Sequence, residues 1–183
     1  MRIISGSRRG LVLLGPKGDH TRPTEDRVKE NLFNLLGPIP FKSRVLDCFA
    51  GSGALGLETM SRGEGYGLFF EKDKNTFEIL LKNIKKCRFE DHCHVHPQDV
   101  LKGLKEYEGQ NFDYIFIDPP YDKKFLYEKI IKIVMDKDLL SLGGKVIIER
   151  MASLSLSCPD YFELWKTRQY RDTVLEIWDK RVV

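Results

Sequence analysis

The chain predicts an α/β fold, an open and mostly parallel sheet with helices between its strands and an antiparallel hairpin at its C-terminal end. Three observations carry this. From residue 44 onward, short β-prone runs alternate with amphipathic stretches of helical period. The run 112–118 is apolar enough to be a strand covered on both faces. The last segment, 161–170 and 173–179, reads as two strands turning at Arg171-Asp172.

The elements follow in order. Residues 2–5 and 11–14 flank Ser7-Arg8-Arg9-Gly10 and read as a short hairpin. Gly15-Pro16-Lys17-Gly18 breaks the pattern, and a helix starts near Thr24, a good N-cap followed by Glu25 and Asp26 at the positive end of the dipole. Val28, Leu32, Leu35 and Leu36 share one face of it, and Gly37-Pro38 ends it. Strands at 44–49, 67–71, 93–96, 112–118 and 144–149 then alternate with helices at about 54–62, 75–86 and 126–135. Ligands of such sheets bind beyond the carboxyl ends of the parallel strands. The chain reads as one domain, 1–183: a basic hairpin-helix extension over 1–43 and an α/β core over 44–183.

With 183 residues, 42% apolar and 31% charged, the composition excludes disorder and collagen-like architecture, and the length allows an unstapled core. No apolar run approaches the ~18 residues that span a bilayer, and Met1-Arg2-Ile3-Ile4-Ser5-Gly6 lacks an apolar signal core, so a cytoplasmic protein without a membrane partner is expected. Cys48, Cys87, Cys93 and Cys158 are accordingly expected as free thiols. Residues 1–44 hold nine Lys/Arg against four Asp/Glu, while the remainder is nearly neutral. A polyanion contacted mainly from that end fits this asymmetry.

The first motif is Asp47-Cys48-Phe49-Ala50-Gly51-Ser52-Gly53-Ala54-Leu55-Gly56, between the first parallel strand and its helix. Gly51, Gly53 and Gly56 make a G-x-G-x-x-G turn, over which a nucleotide can approach the backbone closely. Glu71, at the end of the second strand, can accept both hydroxyls of a ribose. These features suit NAD and S-adenosylmethionine equally. Asp47 favours the latter, because a carboxylate there can pair with a methionyl ammonium and would repel a pyrophosphate. The same carboxylate can instead serve as a structural cap of the glycine turn.

The second motif is Asp118-Pro119-Pro120-Tyr121, at the end of the fourth strand. Two prolines fix the turn and remove two donors, leaving carbonyls and the Asp118 carboxylate to face a ligand. Tyr121 adds a stacking ring. Such a set suits a planar aromatic –NH2, whose delocalised lone pair is a poor nucleophile until both N–H groups are held and the nitrogen turned toward an electrophile.

These residues resemble the signature of amino-group methyltransferases, and the chain is similar to the bacterial RsmD family. The resemblance rests on Arg2-Ile3-Ile4-Ser5-Gly6, on the stretch from Thr21-Arg22-Pro23-Thr24 through Glu25-Asp26-Arg27-Val28 to Asn34, on Leu46 through Glu58, and on the Asp118 motif. It extends over about residues 1–150, and the segment Arg22-Pro23-Thr24-x-Asp26-Arg27-Val28 is its most specific part. The resemblance implies a Rossmann-like methyltransferase with a seven-stranded sheet. It implies S-adenosylmethionine as cofactor, held by Asp47, Phe49, Gly51, Gly53, Glu71 on the ribose and Asp99 near the adenine amine. It implies methylation of a guanine N2 amine in small-subunit ribosomal RNA at Asp118, Pro119, Pro120 and Tyr121, with Arg22 and Thr24 nearby. DNA or RNA adenine-N6 methylation, and a non-catalytic RNA-binding protein with a vestigial cleft, are the rival readings.

Phosphate neutralisation by cations gives salt-dependent RNA affinity. Arg8 and Arg9, on a hairpin tip expected beside the cleft, join Arg22, Thr24 and Lys17 as candidate RNA contacts. The target base must be unstacked to reach Asp118. The enzyme is expected to act as a monomer on ribosomal RNA, either naked or in a subunit. His92, Cys93, His94 and His96, with Cys87 nearby, match no common zinc spacing, and no metal is expected. On a strand, His92, His94 and His96 would share one face. Trp165 and Trp178 are expected to pack within the tail hairpin.

Overall fold

The computed structural model describes residues 1–16, 23–119 and 123–181, with side chains from Asp26 onward in the first helix. The elements are α1 (Pro23–Leu36), β1 (Arg44–Asp47), α2 (Ala54–Gly63), β2 (Tyr66–Phe70), α3 (Lys74–Cys87), β3 (Cys93–His96), α4 (Val100–Gly103), β4 (Phe112–Ile117), α5 (Lys124–Asp136), β5 (Leu140–Met151), β6 (Phe162–Tyr170) and β7 (Thr173–Lys180). Seven strands form one sheet in the order β3-β2-β1-β4-β5-β7-β6. The first five are parallel to their neighbours, and β7 pairs antiparallel with both β5 and β6. The seven-stranded mixed sheet with an antiparallel C-terminal hairpin is the architecture expected from the residues.

Alternation along the strands makes two cores. Val45, Phe69, Phe116 and Ile147 face one side, where they pack with Phe33 of α1, Leu57 of α2 and Leu80 of α3. Leu46, Phe70, Ile115, Ile117 and Ile148 face the other, with Val100 of α4 and Ile130 of α5. α3 starts where Asp73 accepts the amide of Thr76 at 2.8 Å. Its last turn carries Lys85 and Lys86 at the negative end of the dipole.

The N-terminal segment forms the expected short hairpin: Arg2 and Val12 make an antiparallel bridge, and backbone hydrogen bonds run from Ile3 to Leu11, Gly10 to Ile3 and Leu13 to Met1 at 2.8–2.9 Å. Residues of α2 and α3 supply further partners. Asn83 bonds both backbone groups of Leu14, at 2.8 and 2.9 Å, and reaches Ser52 of the glycine turn at 2.8 Å.

Trp178 is fully buried. Trp165 departs from the packing role expected of it. It falls at the irregularity between Leu164 and Lys166 on the edge strand and is 39% exposed. Bulges re-aim side chains in this way. Its ring lies 3.9 Å from Lys145 Nζ and 3.6 Å from Lys166 Nζ. The histidine reading is also corrected. His92 ends a 3₁₀ turn, Glu90–His92, so β3 carries only His94 and His96. His96 bonds Tyr107 Oη at 2.5 Å and stacks on Phe70. Among the described residues, no three His, Cys, Asp or Glu side chains converge on a metal position.

Candidate active site

A cleft of about 500 Å³ opens at the carboxyl ends of the parallel strands. That volume lies within the range of small-molecule sites. Phe49 and Gly51 from the turn after β1, Glu71 from the end of β2, Asp99 from the turn after β3 and Asp118 from the end of β4 all line it. Four separate crossovers therefore deliver residues singled out in the sequence to one cavity. Cys48, Phe70, Lys72, Asp73, Thr76, Gln98 and Val100 complete the wall. Cys48 belongs to the first motif; the others carry none and are brought in by adjacency to the strand ends.

The glycine turn is built for close approach. Gly53 precedes α2 at φ 83° with the Leu80 side chain against it, so a Cβ there would meet strain and collision together. A Cβ on Gly56 would lie 2.3 Å from the Phe69 ring. Helix α2 can thus sit close against β2.

The acids around the turn have separate environments. Glu71 Oε2 accepts the Gly51 amide at 3.0 Å and Oε1 accepts the Asp73 amide at 2.7 Å. Asp99 caps α4 by accepting the Leu101 amide at 2.8 Å. Asp47 is 3% exposed beneath the turn, where it accepts the Gly56 amide at 3.3 Å. Burial pushes its carboxyl up to about 7, against the opposing pull of amide hydrogen bonds from Gly56 and Phe49. Asp118 is exposed to the cleft, while Pro119 beside it is buried and anchors the corner. Pro120, Tyr121, Lys17, Arg22 and the side chain of Thr24 lie outside the described residues. Asp26, on the first turn of α1, keeps one buried carboxylate oxygen without a hydrogen-bond partner among the described residues.

The placement of Arg8 beside the cleft is corrected. Arg8 Nε donates to the carbonyl of Cys87 at 2.5 Å, its guanidinium lies 4.8 Å over the Phe89 ring, and Glu64 is 3.9 Å away. Cys87 ends α3 whereas Asp73 and Thr76 at its start line the cleft, so the hairpin tip is roughly 20 Å from the cleft at 1.5 Å per residue. There Arg8 and Arg9 join Lys86 and Arg88 around a basic cavity of about 490 Å³.

A glycine turn, a carboxylate at the end of β2 and an Asp-Pro corner on this sheet define the frame of a Rossmann-like methyltransferase. A solved Escherichia coli structure, described as a candidate methyltransferase, superposes with a TM-score of 0.87 at 31% identity, covering 98% of this chain and 97% of that one. An RNA methyltransferase from Salinibacter ruber in complex with S-adenosyl-L-homocysteine shares the fold at a TM-score of 0.64 and 15% identity, over 87% of this chain and 94% of that one. The family described as Conserved hypothetical protein 95 matches residues 1–179, and the chain belongs to it, the family of the RsmD methyltransferases. Ribosomal RNA small subunit methyltransferase D of Haemophilus influenzae is 37% identical over 171 residues, spanning 92% of this chain and 88% of its own length.

Proposed function

We propose that this chain transfers a methyl group from S-adenosylmethionine to the exocyclic N2 amine of a guanine in small-subunit ribosomal RNA. One observation carries the reading: the Asp118 corner and the adenosine-reaching acids Glu71 and Asp99 open onto the same cleft.

The residues fit the cofactor. Glu71 presents a carboxylate to a ribose, Asp99 and Phe49 border the adenine end, and Gly51 and Gly53 leave the backbone bare for the methionyl arm. Asp47 beneath the turn is the acid available to its ammonium. When bound, the cofactor supplies a methyl carbon on a positively charged sulfur.

The chain's own residues then act on the amine. The Asp118 carboxylate accepts an N–H hydrogen bond, holds the nitrogen lone pair in line and stabilises the positive charge that develops on nitrogen. The proton it receives passes to solvent across the open side of the corner. Pro119 and Pro120 keep the acceptors fixed, and Tyr121 stacks on the flipped base. Lys17, Arg22 and Thr24, before and within the first turn of α1, supply further RNA contacts. Arg8 and Arg9 meet phosphates at the far end of α3. The enzyme works as a cytoplasmic monomer on naked or assembled subunit RNA. No helix among the described residues is long and apolar enough to cross a membrane.

The test is transfer of labelled methyl from the cofactor to small-subunit RNA, to isolated subunits and to DNA. Mass spectrometry of the digested RNA should show N2-methylguanosine. Label confined to DNA, or absent from every nucleic acid, overturns the reading.

A further inference from the structure

The geometry points to the tip of the C-terminal hairpin, Arg168 and Arg171, as a phosphate-binding rim that holds the RNA on the side of Asp118 away from the cofactor. This rests on the methyltransferase reading above and adds contacts from an element outside the motifs.

Register places the tip. Ile117 pairs with Ile148, Ile148 with Glu176, and Met151 with Thr173. The β6–β7 turn therefore projects past the same sheet edge at which β4 delivers Asp118. With strands about 4.8 Å apart and about 3.3 Å per residue, Arg171 stands roughly 10 Å to the side of Asp118 and 10 Å beyond it. Extended arginine side chains cover much of that gap. Glu71 and Asp99 lie on the opposite side, toward β2 and β3, so a strand of RNA leaving the corner away from the cofactor crosses the tip.

The tip is rigid. Ala152 N–H donates to the Asp172 carbonyl at 2.7 Å, tying the turn to the segment after β5. The Gln169 side chain donates to the Arg171 carbonyl at 3.0 Å. Arg150 bridges Glu176 to the carbonyl of Leu154 beneath it. Tyr170 packs on the core shared with α1. Arg168, two residues earlier on β6, shares that face.

The charges are not used by the fold. Arg168 and Arg171 are exposed, and among the described residues neither guanidinium comes within ion-pair distance of a carboxylate. Arg168 donates only to the carbonyl of its neighbour Thr167, at 2.8 Å. Arg171 also sits at φ 54°, in a two-residue hairpin turn whose positive-φ positions favour Gly or Asn. A long cation thus occupies a position where glycine would be unstrained. Conflict between local preference and residue type concentrates at functional positions. Two rigidly placed, unpaired guanidiniums beside an amine-holding corner suit RNA phosphates.

Arg171→Gly, Arg168→Gln and the double variant test this against a naked small-subunit RNA transcript and against isolated subunits. Arg171→Gly should match or exceed the wild-type melting temperature, since it relieves the turn. The double variant should bind the transcript several-fold more weakly and lower the slope of log affinity against log salt by about 1.4, two single-strand phosphate contacts. It should raise KM for RNA while kcat and cofactor affinity stay unchanged. An unchanged affinity and salt slope, with wild-type protein active on RNA, overturns the rim and leaves the methyltransferase reading standing. A loss seen with subunits but not with the transcript assigns the tip to a protein of the subunit and overturns the phosphate assignment. Wild-type protein that methylates no RNA overturns both.

Discussion

Glu71 Oε2 accepts the amide hydrogen of Gly51 at 3.0 Å, so the acid that follows β2 also braces the glycine turn that follows β1. On the proposed reading, ribose recognition and turn geometry share this one side chain. Glu71→Ala removes both, and hydrogen bonds to charged groups contribute about 1.5–3 kcal/mol each. Cofactor affinity should fall roughly 10- to 100-fold by calorimetry, with kcat at saturating cofactor within a few-fold of wild type. Glu71→Gln, which keeps one acceptor, should fall between. Wild-type affinity in the alanine variant would remove Glu71 from the site.

Asp47 makes the protein pH-sensitive in a defined direction. Its carboxyl titrates near 7 in the folded chain against an ordinary 3.8, because burial disfavours the charge. Below pH 4 it is protonated in both folded and unfolded states. Between about 4 and 7 the unfolded chain ionises while the folded one holds its proton, so this group lowers stability as pH rises, and the penalty is complete above 7. Asp47→Asn should therefore flatten the melting temperature between pH 5 and 8. A bound ammonium needs the ionised form, so cofactor affinity should climb about 25-fold from pH 5.5 to 7.5 in the wild type and stay flat in Asp47→Asn. A cofactor affinity with no pH dependence in either protein would leave Asp47 as a cap of the turn alone.

Asp118 meets solvent at the cleft mouth while its neighbour Pro119 is buried, so the acid can be changed without opening the core. Asp118→Ala should lower kcat about 10²-fold or more, because the carboxylate acts on charge that develops during transfer. Cofactor affinity should be unaffected. Asp118→Asn keeps a neutral acceptor and should retain more activity than alanine. Full turnover in the alanine variant would end the amine-holding role.

The sheet and the lining of the cleft by Phe49, Gly51, Glu71, Asp99 and Asp118 were legible because both depend on local pattern. Strand edges at Arg44, Phe112 and Thr173 coincide with the apolar runs, and Glu71 and Asp99 reach the cleft simply by following their strands. β5 runs from Leu140 rather than residue 144, since pairing with β4 extends it across Gly143-Gly144, which propensity reads as a break. α4 escaped notice because four residues carry no period. Arg8 was misplaced for a different reason. Its hairpin is local, but the end of α3 on which it docks is decided by Asn83, Ser61 and Cys87, far along the chain. Trp165 turned outward through a bulge that alternation cannot show.

Glu58 shows how the basic extension is held to the core. This fully buried carboxylate accepts the amides of Ile4 and Ser5 at 2.7 and 3.0 Å and pairs with Arg62 at 2.8 Å and Lys29 at 3.3 Å. Lys29 is itself buried, and desolvation lowers its pKa despite Glu58. Removing one partner of a buried pair strands the other, which costs about 3–5 kcal/mol. At about 2–4 °C per kcal/mol for a chain of this size, Glu58→Ala should melt roughly 6–20 °C below wild type. Glu58→Gln, which keeps one acceptor oxygen for Ile4 or Ser5 and loses the charge, should fall in between. Hydrogen exchange should show residues 2–14 losing protection first, because their anchor on α2 is gone. A melting temperature within 2 °C of wild type, read by calorimetry, would mean that the contacts of Asn83, Ser61 and Cys87 hold the extension in place without Glu58.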